Sequence, residues 1–311
     1  MLRALWDWYA PPTPLARLRL LRLVVGAYAL SYLLARASHL NAVVDYPANG
    51  FRPVGVVRLL EHPLPAAWVY GAYAAAVLAG AAFTAGVAYR YCAPAFAALL
   101  LWVMTYRHSF GMIFHTDNLL VLHVPLLAFA RAGRANRASR AAELAAPETP
   151  RSWVPRAMCL VTVAAYVVAG AAKVTHTGWS WAGGEALREQ IAYDALRKIE
   201  LGSTYSPLGP WLLAERWLFA PISAFALATE LLAPLALVGV RAAAVWCGCA
   251  WLFHVGVVAL MAIAFPYPLS GCAFAAFFPL ERVLSLLERR FRPRAASAAA
   301  GPPEVAPPAR T

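Results

Sequence analysis

Arg107, His108, His115, Asp117, Lys173, His176, Glu230 and His254 stand inside, or at the ends of, long apolar runs. A charge in hydrocarbon is costly, so each is a functional candidate by default. A partly desolvated lysine can act as a general base in its neutral form, and a His–Asp or His–Glu neighbour pair can hold and pass a proton. Lys173 lies 17 residues beyond Arg156, His115 lies 16 before Arg131, and Arg107 lies 17 beyond Arg90. On helices, all three then reach about 25 Å from the level of those arginines. Asp117, His108 and His176 flank them, which makes one polar level from three helix ends. Glu230 is 11 residues before Arg241 and His254 is 13 after it. That spacing puts them roughly 16 and 20 Å deep on adjacent antiparallel helices, where they are expected to touch. Each residue also has a structural reading. Lys173 can snorkel to headgroups, and His108 and His115 can be interfacial. Glu230 with His254 can lock two helices, and Arg107 and Arg36 can pack or hold lipid phosphates. His123 is expected to be hydrogen-bonded within the bundle, and Trp179 and Trp181 to sit in an aromatic belt.

The elements that position these groups are membrane helices. Of 311 residues 61% are apolar, only 14% are charged, and mean hydropathy is +0.59, against roughly a quarter charged in soluble domains. The expected fold is an all-α polytopic bundle of about eight transmembrane helices, at 17–38, 66–88, 93–113, 115–131, 155–174, 218–240, 242–264 and 267–287. In the second, Ala76, Gly80 and Thr84 recur every four residues as a ridge that admits a close neighbour. Both ends, the Arg90 and Arg241 turns and the 131–156 loop carry 18 of the 27 basic residues. The positive-inside rule places that side, and both termini, in the cytoplasm. The net charge of +12 is therefore read as topology, with no nucleic-acid partner and with localisation in the inner or plasma membrane.

Residues 1–290 read as one transmembrane domain and 291–311 as a disordered cytoplasmic tail. The 174–217 segment, with a short helix near 184–200 and a stretch from Ser206 to Pro210, is too short for a domain and is expected to cap a cavity. The five cysteines read as small core residues, because Cys247 and Cys249 suit neither a disulfide nor zinc. No metal site, P-loop, Rossmann glycine pattern, HExxH or nucleophile elbow is present. The first apolar run lacks a signal-peptide cleavage site, and no inverted repeat supports a transporter.

At these polar residues the sequence resembles the HTTM domain family, the membrane part of vitamin K-dependent gamma-carboxylase and its bacterial relatives. AGAAKVTHTGWSWAGGEAL (Ala169 to Leu187) is similar to the family's small-residue helix end, lysine, W-x-x-G and A-L, here Lys173, Trp181, Gly184, Ala186 and Leu187. The gap between lysine and tryptophan is longer here than in the animal carboxylase. ATELLAPLALVGVR and FHVGVVALMAIAFP resemble the late helix hairpin, with Glu230, Arg241, Phe253 and His254 matching. GVAYRYC, with Tyr89 and Arg90, resembles an early helix end. HTDNLL, from His115, corresponds to a hairpin carrying a functional histidine, and whether His115 itself is that residue stays open.

The resemblance, over about residues 15–290, implies that Lys173 is the base that deprotonates a reduced, vitamin K hydroquinone-like quinone. His115 and Asp117 would assist, and Glu230, His254, Arg107, His108 and Trp181 would shape the site. The large lumenal portion of the carboxylase has no counterpart, so protein gamma-carboxylation is not expected. Three readings stay open: a quinone-dependent oxidoreductase, a non-enzymatic bundle that matures, escorts or confers immunity to a secreted peptide, and a basic, lipid-binding structural protein. Oligomeric state is not legible.

Overall fold

The computed structural model describes residues 2–111, 113, 115–130 and 149–283. The expectations for the 291–311 tail, and for most of the 131–156 loop, lie outside the described residues. Those residues form helices and turns without a strand, in line with the all-α expectation. Four segments are long and apolar enough to cross a membrane, with mean hydropathies of 1.5 to 1.9. They are α2 (Leu15–Ala35), α4 (Ala66–Ala85), α7 (Val154–Thr177, continued by a 3-10 turn to Gly183) and α11 (Val240–Met261). Their outward faces are apolar: Leu78, Val168 and Val245 are each about 70% exposed. A water-facing surface would not place such side chains so regularly along its longest helices.

The remaining helices are α1 (Leu2–Tyr9), α3 (Ala37–Asn41), α5 (Tyr89–His108), α6 (Asn118–Ala128), α8 (Glu185–Glu200), α9 (Leu208–Leu212), α10 (Arg216–Leu231) and α12 (Pro266–Leu269). They depart from the expected spans in ways the sequence explains. The 93–113 span becomes α5, twenty residues with Arg90 and Arg107 at its ends. The 115–131 span shortens to the eleven residues of α6 after a 3-10 turn at His115–Asp117, and it contains Pro125. At 1.5 Å per residue that helix is about 16 Å long, half a hydrocarbon core. The 218–240 span divides into α10 and a 3-10 stretch, Ala233–Leu237. The 267–287 span is a four-residue helix and a 3-10 segment, Cys272–Phe277, in its described part. Pro266, Pro268 and Gly271 account for that break.

α2, α4 and α5 pack together through the small-residue ridge. Ala76 is fully buried, a methyl on Gly80 would lie 2.8 Å from Phe96, and one on Gly26 would lie 2.6 Å from Thr84. In a bilayer lipid tails are as apolar as leucine, so such close packing supplies much of the association. Arg17 closes the bundle by donating from Nε and Nη2 to Glu281, at 2.9 and 2.6 Å. The cysteines are unpaired; Cys159 and Cys247 are buried, and Cys92, Cys249 and Cys272 half-buried.

Candidate functional site

One face of α7 carries Met158, Thr162, Tyr166, Gly170 and Lys173 at spacings of three and four residues, so they form a single stripe. Gly170 sets the distance to α10. A Cβ there would lie 2.9 Å from the Cβ of Glu230 and 2.9 Å from Leu231, so only the absence of a side chain lets the two helices approach this closely. One turn on, the Lys173 ammonium donates to Glu230 Oε1. The chain then climbs along α10 in antiparallel register. Trp181 meets Ser223, whose hydroxyl donates to the Trp181 carbonyl at 2.5 Å. Gly184 meets Phe219, with a would-be Cβ 2.3 Å from the Phe219 carbonyl carbon. Gly184 has φ +90°, so its conformation and its space both require glycine.

This register brings the Trp181 ring beneath Lys173, with Nζ 5.4 Å from the ring centroid. Trp179 is 70% exposed, but Trp181 is buried and so does not sit in an exposed aromatic belt. Lys173 keeps about a quarter of its side chain exposed and Glu230 almost none. Two buried polar atoms against the ammonium have no partner among the described residues: Glu230 Oε2, an acceptor, and Trp181 Nε1, a donor.

Glu230 and His254 are not paired with each other, contrary to expectation. Glu230 stands in the last turn of α10, whereas His254 is fourteen residues into α11, because the 3-10 stretch intervenes. The partner of His254 is Tyr166, with the hydroxyl 2.7 Å from Nε2, and its buried Nδ1 has no partner among the described residues. Tyr166 was not anticipated, although its place seven residues before Lys173 on the same face is a readable signal.

A second polar cluster forms where α2, α5 and the 115–117 turn meet. Tyr32 donates to Asp117 Oδ1 at 2.5 Å, and His108 Nε2 lies 3.7 Å from Asp117 Oδ2. Arg107 is buried and reaches His39 Nε2 at 2.8 Å. Burial, with the positive charges of Arg107 and Arg36, holds the His39 imidazole below its usual range. A neutral ring can accept that bond. His115 is exposed, as is His176. Lys173 makes its contacts with Glu230 and Trp181. His123 is fully buried as expected, at 3.0 Å from the Tyr267 hydroxyl and 3.1 Å from Thr162.

The 174–217 segment lines a cavity, but neither Lys173 nor a described residue of the 107–118 hairpin does. Leu187 and Ile191 of α8 close an apolar space of about 490 Å³ between α10 and α11. Phe225 and Ala226, about one turn before Glu230, and Phe253, next to His254, also line it.

The HTTM domain family model matches residues 10–280, which include both polar clusters. No curated protein matches the chain, and no solved structure does.

Proposed function

Because this chain belongs to the HTTM domain family, a premise in keeping with its apolar helices, we propose that it is a multi-pass membrane protein whose Lys173–Glu230 couple takes a proton from a bound reduced quinone. The couple with its two unpartnered atoms carries this reading. A ring hydroxyl can donate to Glu230 Oε2, and a ring oxygen can accept from Trp181 Nε1, which would satisfy both. Bound there, a hydroquinone would supply an acidic hydroxyl and a reducing ring. The couple is neutral overall and has room for one proton. When the O–H bond breaks, the proton ends on the couple, leaving ammonium, carboxylic acid and an anion balanced by the ammonium. Glu230 is almost fully buried, and the Coulomb attraction between an anion beside it and Lys173 is stronger there than in solvent.

The same reading places the basic end of the bundle in the cytoplasm and counts about eight crossings once the broken segments are included. His115 and Asp117 then serve as a separate polar group at the opposite end, with no part in the proton transfer itself.

Oxygen-dependent consumption of added vitamin K hydroquinone by the purified protein in detergent tests the proposal. Wild type should consume it, with Lys173→Ala and Glu230→Gln slower by about 100-fold or more, the usual contribution of a general base. Lys173→Arg should keep more of the rate than Lys173→Ala, because guanidinium still balances the anion. Activity surviving in Lys173→Ala would remove Lys173 from the mechanism. A wild type that binds quinone without consuming it would favour the non-enzymatic role in handling a secreted peptide.

A further inference from the structure

A second cavity, of about 330 Å³, opens at the basic end of the bundle, far along α7 from Lys173. Arg17, Arg156 and Arg282 line it, and among the described residues no acidic side chain does. Arg17 is neutralised by Glu281. The Arg156 guanidinium lies over the Trp8 ring, 4.6 Å from its centroid, and its buried Nε meets no acceptor among the described residues. Gly239 and Val240 also face this space. They begin the 22-residue helix α11, which has no side-chain cap at its N-terminus. The first N–H groups of such a helix lack intrahelical acceptors and carry its positive end. The cationic Arg156 guanidinium and the uncapped amides meet at one space, a donor set suited to a phosphate group.

The rim identifies the carrier. α1 shows Leu2 at 80%, Leu5 at 61% and Trp6 at 54% exposure, while Trp8 from the same helix walls the cavity. Tyr9 stacks on Trp153 at 6.3 Å, and Asp7 pairs with Arg151 at 2.8 Å, fixing α1 across the helix ends. A short helix with exposed leucine and tryptophan suits the headgroup boundary of a bilayer. We infer that this cavity binds a phosphate group, that of an anionic phospholipid whose acyl chains lie beside α1.

Titration of the full chain, stripped of lipid in detergent, with phosphatidylglycerol, phosphatidylcholine or inorganic phosphate tests this by native mass spectrometry and thermal shift. Phosphatidylglycerol should bind and stabilise, Arg156→Gln should weaken it about tenfold, and Arg156→Lys should fall between, having charge without the fork. Arg90→Gln, exposed at the start of α5 and outside the cavity, should bind like wild type, separating the cavity from general surface charge. An equal Arg156-dependent shift with inorganic phosphate alone would keep the phosphate site and reassign its source. Binding of both lipids alike, unchanged in Arg156→Gln and Arg156→Lys, would overturn the inference.

Discussion

Gly184→Val should abolish the folded protein, seen as loss of the monodisperse species in size-exclusion chromatography of the detergent extract. Two costs combine at this position. Its φ of +90° is a conformation that a β-branched residue scarcely adopts. The new Cβ would lie 2.3 Å from the Phe219 carbonyl carbon and 2.5 Å from the Ala220 nitrogen. Both are backbone atoms of α10, so no rotamer change relieves the clash. The sum exceeds about 4 kcal/mol, a large share of any domain's stability. Gly183→Val is the control, since nothing lies within 4 Å of its would-be Cβ. It should express and migrate as wild type. A folded Gly184→Val protein would mean that the 178–184 turn does not lie on α10, and with it the placement of Trp181 would fall.

Lys173→Ala should lower stability by about 3 kcal/mol, because removing one partner strands the other charge inside the protein. Glu230 is 2% exposed and Lys173 Nζ is its only described hydrogen-bond partner. The double substitution Lys173→Ala, Glu230→Leu should recover most of that loss, since no charge is then left unpaired and the space stays filled. Unfolding of each form in the same detergent, followed by tryptophan fluorescence, gives the comparison. If Lys173→Ala were as stable as wild type, the lysine would be snorkelling to headgroups and the ion pair would not exist.

The contrast between these residues shows where the sequence was legible. Apolar runs identified α2, α4, α7 and α11 because continuous hydropathy over about 20 residues has few other uses. The ridge of Ala76, Gly80 and Thr84 was readable because close helix packing requires small side chains. The α8 helix was placed within a residue at its start and at its end. Partner choice was not legible. Depth counted from Arg241 assumes a continuous helix, and the 3-10 stretch Ala233–Leu237 displaces Glu230 from His254 onto Lys173. The broken 267–287 segment was visible in Pro266, Pro268 and Gly271, but its mean apolarity concealed the breaks. Trp181 looked like a belt residue because tryptophans near helix ends usually are. Its burial depends on the backbone approach at Gly184, which no local composition announces.

The couple's ability to take a proton from a ring hydroxyl can be observed without turnover. 2-Methyl-1-naphthol carries one such hydroxyl, and its anion absorbs at longer wavelength than the neutral form. Bound to wild type in anaerobic detergent at neutral pH, it should show the anion band. Bound to Glu230→Gln or Lys173→Ala, it should show the neutral band alone. A neutral naphthol bound to the wild-type protein would contradict the account.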